Sequence, residues 1–260
     1  MKTWMKWAIG IAVVVVLGVV GGPFVYINFI KDDPPDRFAL DDDAASSSTT
    51  AAAVTASTSG AGATSPGTST TTGPATSTTG AAAVASGVDS SWTVDPAASA
   101  VGYRVVEVLF GQDTEGVGRT SAVSGSMTIA GTQVTEATFE VDMATVTSDE
   151  DRRDSQFRGR LLDTESFPTA TFTLTAPIEL GAVPADGAAV TATATGDLTL
   201  RGTTNPVSFD VQAQQTGATI QVVGSTDIVF ADYGIPDPST TGVSTQDHGL
   251  LEFDLHFVPA

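Results

Sequence analysis

The sequence predicts an all-β domain, a sandwich or a closed barrel, carried behind an apolar helix and a low-complexity linker. Three observations point there. From Ser91 onward, large apolar residues recur at alternate positions among β-branched neighbours. Turn residues punctuate that stretch at Asp95-Pro96, Ala130-Gly131, Asp186-Gly187, Gly202, Gly217 and Gly234. Nine or so strands then fall within about 170 residues that hold little helix, the pattern of two-sheet and barrel folds. A barrel has the further merit of removing the sheet edges that promote aggregation.

The chain has 260 residues and no cysteine, which excludes disulfides, thiolate metal sites, a cysteine nucleophile and a cysteine-linked lipid anchor. Acidic residues outnumber basic ones 30 to 11, a balance that repels phosphate backbones and argues against nucleic-acid binding.

Residues 1–6 read as a short cytoplasmic N-terminus and 7–30 as a transmembrane signal anchor. Trp7 to Ile30 carries no charge, and as a helix it would span roughly 36 Å against a bilayer core of about 30 Å. Lys2 and Lys6 precede it, so the positive-inside rule places the rest of the chain outside the cell membrane as a single-pass, extracytoplasmic protein. Trp4, Trp7, Tyr26 and Phe29 suit the two interfaces. A cleaved signal peptide is the competing reading; the run is long for one, and no clear small-x-small site follows it.

Residues 31–90 read as a disordered linker. Its Asp41 to Val88 portion is mostly Ala, Ser, Thr and Gly and buries too little apolar surface to offset chain entropy. As a flexible coil it would reach roughly 40 Å.

Residues 91–260 form the predicted folded domain. Its candidate strands are Ser91–Val94, Ala100–Val106, Ser124–Ile129, Val134–Val141, Ala170–Leu174, Ala189–Leu200, Pro206–Gln214, Thr219–Phe230 and Gly249–Phe257. Phe110 to Ala122, with Gly111, Gly116 and Gly118, reads as a flexible loop that gates a barrel mouth or meets a partner. Asp149 to Asp163 reads as a short helix, with Ser148 as N-cap and Asp149, Glu150 and Asp151 in the favoured first turn. Phe157, Leu161 and Leu162 share a face of it suited to covering one end of a barrel. In Gly196 to Val211 two alternating runs flank a tight turn assigned to Gly202 through Asn205, which Pro206 ends.

Four motifs occur in a fixed order: Trp92-Thr93-Val94-Asp95-Pro96; Arg153-Asp154-Ser155-Gln156-Phe157 followed by Leu162-Asp163 and Phe167-Pro168-Thr169-Ala170-Thr171-Phe172; Gly196-Asp197-Leu198-Thr199-Leu200-Arg201-Gly202; and Asp232-Tyr233-Gly234-Ile235. Together they resemble the YceI-like family, lipocalin-like barrels that bind long isoprenoid lipids. The resemblance implies an eight-stranded antiparallel barrel with a short helix, holding a polyprenyl or quinone-type tail, with no cofactor and no catalysis. Relatives often pair, so a homodimer fits as well. Two positions depart from the family. Ala98-Ser99 stands where it often has His-Ser, and Phe230 or Ala231 where it commonly carries Arg. Both changes bear on headgroup contacts and leave the fold assignment intact.

Alternation supplies an inward apolar set, and the resemblance makes it a cavity lining: Tyr103, Val105, Phe139, Val141, Met143, Phe172, Leu174, Leu198, Leu200, Phe209, Phe230, Phe253 and Leu255, with Phe157 and Leu161 from the helix. Tyr103 and Met143 are the preferred ligand contacts, one for its polar handle and the other for its adaptability. Alternation alone is equally consistent with a packed core, so a structural or adhesive module is the alternative function; a hollow interior would distinguish the carrier.

Enzyme chemistry finds little support. His248 and His256, the only histidines, would lie about 27 Å apart on one strand. No lysine occurs from Ser91 onward, and no nucleophile-elbow or zinc-protease motif is present. The carboxylates of Asp149, Glu150, Asp151 and Asp154 read as solvated helix-terminus charge, partly neutralised by Arg152 and Arg153.

Overall fold

Alternating apolar and polar side chains from Ser90 onward are met by thirteen strands among the described residues of a computed structural model, which describes residues 34–41, 90–109, 111–181 and 184–260. The predicted anchor 7–30 and linker residues 42–89 lie outside them. Among the described residues, no helix is long and apolar enough to cross a membrane.

In chain order the strands are β1 (Ser90–Val94), β2 (Ala100–Leu109), β3 (Gln112–Thr120), β4 (Val123–Ala130), β5 (Gln133–Asp142), β6 (Thr147–Ser148), β7 (Thr169–Leu174), β8 (Ile178–Glu179), β9 (Ala189–Leu200), β10 (Thr203–Thr216), β11 (Thr219–Val229), β12 (Val243–Thr245) and β13 (His248–Pro259). All pairings are antiparallel. Eight of the strands close a ring in the order β1-β4-β5-β7-β9-β10-β11-β13, with β1 bonded to both β4 and β13. β2 continues β1 along β13 and carries β3, which carries β6, while β12 pairs with β2. Ser99 holds the corner between β1 and β2. Its buried hydroxyl donates to the Asp95 carbonyl at 2.7 Å and accepts from the His256 backbone at 2.9 Å.

One short helix, α1 (Asp151–Gln156), continues as a π-helical turn over Phe157–Leu161. Two apolar clusters fill the ends. One gathers Trp92, Val94, Met127, Ile129, Val134, Ile220 and Phe257; the other gathers Val146, Phe157, Leu162, Leu198, Leu200, Tyr233 and Ile235.

Four expectations are corrected. The predicted gating loop is mostly strand, because β3 pairs with β2 from Gln112 to Thr120; Phe110 lies outside the described residues. Gly116 and Gly118 are inward slots in a strand: a Cβ at Gly118 would lie 2.4 Å from the Tyr103 ring, and one at Gly116 would lie 2.8 Å from Arg153. Second, the hairpin turn is Arg201-Gly202, both at positive φ (50° and 74°), so Thr203 already pairs with Leu200. This is the two-residue geometry that matches strand twist. Pro206 lies inside β10 opposite Asp197, in the part of the strand that β11 does not pair, where its missing N–H costs nothing. Third, Ser148 is not the N-cap of α1. It belongs to β6, its backbone N–H and hydroxyl both donate to the Asp154 carboxylate (2.9 and 2.6 Å), and Glu150 takes the N-cap position without a side-chain bond. Fourth, Asp154 is accordingly buried and bonded, not solvated.

Candidate functional site

The barrel interior is hollow. A cavity of about 670 Å³ runs through it, and its wall draws on both apolar clusters. All fifteen residues expected to line a cavity lie on this wall. Tyr103 and Val105 come from β2, Phe139 and Val141 from β5, Phe172 and Leu174 from β7, Leu198 and Leu200 from β9, Phe209 from β10, and Phe253 and Leu255 from β13. Met143 sits on a 3-10 turn (Met143–Thr145) just past β5, and Phe230 opens another, Phe230–Tyr233. Phe157 and Leu161 reach the wall from the π-helical turn.

The space survives because the aromatic rings lie along the wall. Phe257, Phe139, Phe172, Phe209 and Phe253 form a continuous string of ring contacts with centroids 5.5–6.3 Å apart. Glycines receive several of these rings. Gly125 faces Phe139, Gly224 faces Phe253 and Gly118 faces Tyr103 across strand pairs, while Gly196 lies beneath Phe172. A Cβ at any of the four would come within 2.4–2.6 Å of the ring above it. Each ring therefore folds flat onto a neighbouring backbone instead of projecting into the lumen, the glycine–aromatic pairing used to curve sheets.

Sequence reasoning missed the polar end of the cavity. Glu107 continues the inward series Val101, Tyr103, Val105 on β2, and Arg153 of α1 donates to it at 3.2 Å. The Arg153 guanidinium also pairs with Asp149. Thr114 and Thr245 flank Glu107 on β3 and β12, and all these side chains line the cavity. Burial is the largest influence and works against the charge on Arg153, yet Glu107, Asp149 and Tyr103 together hold the guanidinium above its ordinary range. Burial likewise pushes the Tyr103 phenol well above its usual value. Tyr103 stacks on Phe157 with centroids 5.0 Å apart and planes 13° from parallel. The signal for this end was a charged residue at an inward position of an otherwise apolar alternation.

Two sides frame this polar end. Arg160, at the end of the π-helical turn, donates to the carbonyls of Asp237 (2.7 Å) and Pro238 (3.2 Å), tying the turn to the segment that supplies Pro238, Thr240 and Thr241 to the wall. The two histidines lie apart from the cavity chemistry, His248 beside Asp247 at 2.8 Å and His256 beside Asp254 at 3.2 Å. Among the described residues, no group of carboxylates and histidines is placed to hold a metal ion.

The sequence pattern of the YceI-like domain matches residues 92–257. No curated protein matches the chain. Among solved structures, the chain is similar to a polyisoprenoid-binding domain from Saccharophagus degradans implicated in plant cell wall breakdown. The two share 22% identity, the match covers 65% of this chain and 98% of that one, and the TM-score is 0.55. It is also similar to BcnA of Burkholderia cenocepacia, with 25% identity, 63% and 98% coverage and a TM-score of 0.49. A third likeness is to the YCEI protein of Campylobacter jejuni, with 15% identity, 53% and 81% coverage and a TM-score of 0.43.

Proposed function

Because the chain belongs to the YceI-like domain family, we propose that its barrel is a carrier that sequesters or transports an isoprenoid lipid, with a polyprenyl or quinone-type tail in the cavity. The observation that carries this reading is the hollow, apolar interior of about 670 Å³ inside a closed ring of eight strands. That volume falls in the range of small-molecule sites, and eight strands are just wide enough to hold one slender ligand. Binding would be driven by removing apolar area from water, roughly 25 cal/mol per Å² before ordering costs. A long tail needs no catalytic group, and the single polar end around Glu107 and Arg153 suits the place where a headgroup emerges. The Saccharophagus degradans domain is described as polyisoprenoid-binding, which supports the same ligand class here.

The proposal includes the anchor. Residues 7–30 hold the protein in the cell membrane with the barrel outside, close to the bilayer from which cargo would be drawn. The alternative, a surface module with a packed core, is disfavoured by the hollow interior.

Filling the lumen tests the reading. Ala194 is buried on the cavity wall opposite Phe209. Ala194→Phe is expected to abolish uptake of an added polyprenol while the far-UV circular dichroism stays that of a folded barrel. Undiminished uptake by the folded variant would place any lipid outside the cavity and end the proposal.

A further inference from the structure

The outer wall of a barrel in water is expected to be polar and wet, and on β11 it is: Ser225, Asp227 and Val229 point outward and are exposed. Two turns of alternation earlier, Gln221 and Val223 also point outward, yet both are buried. The same holds for Val117 on β3, Arg104 on β2 and Glu252 on β13. Arg104 is 4% exposed and Glu252 2%.

Part of what covers this patch is the chain's own segment Pro34–Leu40. It forms neither helix nor strand, and it makes its polar contacts through main-chain carbonyls. Arg104 donates to the Pro35 carbonyl at 2.6 Å, Arg119 to the Asp36 carbonyl, and Gln221 to the Ala39 carbonyl at 3.4 Å. The Arg119 guanidinium also sits 4.0 Å over the centre of the Phe38 ring. On the barrel side the two arginines converge on Glu252, Arg119 at 2.8 Å and Arg104 at 3.3 Å, and Arg104 also reaches Glu115 at 2.6 Å. Each guanidinium thus has donors left over after its carboxylates, and the segment's carbonyls take them. Pro34 and Pro35 have no N–H to leave unpaired and are stiff, so seating them costs little ordering entropy.

The segment has a direction. Pro34 and Pro35 border a small hollow with Thr147, Ser148 and Asp149, the residues that lead into α1 at the polar end of the cavity. Ala39 lies at Gln221, beside Ile220 of the apolar cluster at the opposite end. The predicted membrane segment ends at Ile30, four residues before Pro34, and four residues span at most about 14 Å.

We propose that Pro34–Leu40 is a clasp that docks the barrel beside its membrane segment with the polar mouth of the cavity facing the bilayer. On this reading the length of residues 42–89 does not set the reach of the barrel from the bilayer. The proposal rests on the anchored-carrier reading above for its meaning, and the experiment separates the two.

The test uses the full-length chain in phosphatidylethanolamine–phosphatidylglycerol vesicles. The natural sequence has no cysteine, so each introduced one is the sole label site. A fluorophore is placed at Thr241→Cys, beside the mouth, or at Thr132→Cys, in the β4–β5 turn at the far end. A quencher is carried on the lipid headgroups. The clasp predicts several-fold stronger quenching at 241 than at 132. It also predicts that the difference survives deletion of half of 42–89 and disappears when 34–40 is replaced by Gly-Ser. Equal quenching at the two sites, or a difference that persists without the clasp sequence, overturns it. Polyprenol uptake is measured on the same preparations. Uptake with equal quenching overturns the clasp alone, and unequal quenching without uptake overturns the carrier alone.

Discussion

A single inward glycine decides where an aromatic ring goes. At Gly118 the missing Cβ leaves the slot that Tyr103 occupies, with ring carbons 2.4 and 2.8 Å and the phenol oxygen 3.0 Å from where that carbon would stand. Adding the carbon forces the ring off the wall, toward Phe157 or into the lumen. Gly118→Ala is therefore expected to cost about 1–3 kcal/mol, the range for overpacking a well-filled site. Urea unfolding of the variant beside the parent measures it; an unchanged midpoint would show that the ring moves freely. The apolar wall was legible in the sequence because a strand's side chains alternate strictly, so Leu198, Leu200, Phe209 and Phe253 declared their side of the sheet. The glycines did not declare theirs. Gly116 and Gly118 carry no side chain to show a period, and their number in a short stretch resembles a loop until Tyr103 and Arg153 are seen lying over them.

At the scale of elements, most long strands were read nearly to their ends, while the nine residues of β3 were taken for a loop. β9 runs from Ala189 to Leu200 as its alternation predicts, β4, β5 and β13 exceed their predicted bounds by a residue or two at each end, and β1 by one residue at its start. The short pieces β6, β8 and β12 escaped notice, since two or three residues cannot display a period. α1 was placed in the right region, but its anchoring was not. A helix of six residues has little stability of its own. What fixes it is long-range: Asp154 accepting from Ser148, Arg153 reaching Glu107, and Phe157 stacked on Tyr103. Asp154→Ala would leave the Ser148 backbone donor without its carboxylate, at a cost of about 1–3 kcal/mol. Hydrogen exchange should show it locally, as faster exchange at the Ser148 amide and along α1 with β9 and β10 unaffected. Uniform slow exchange across α1 would mean that packing of Phe157 alone holds the helix.

For the molecule as a whole, an eight-strand ring, flattened aromatics and one polar end combine into a tube with a mouth. Family motifs in the sequence pointed to the barrel, but a hollow interior and a filled one are written with the same apolar alternation, so the cavity became visible only in three dimensions. Its polar end depends on contacts between β2, β3, β12 and α1 that no local pattern encodes. The same holds for the clasp, where a segment some fifty residues before the first strand completes an arginine–glutamate cluster on the far side of the wall. The measurement closest to the central claim is native mass spectrometry of the full chain purified from its own host, with organic extraction of whatever it holds. The carrier account predicts a stoichiometric adduct whose mass fits a polyprenyl or quinone lipid. An unloaded mass that remains unchanged after incubation with such lipids would contradict it.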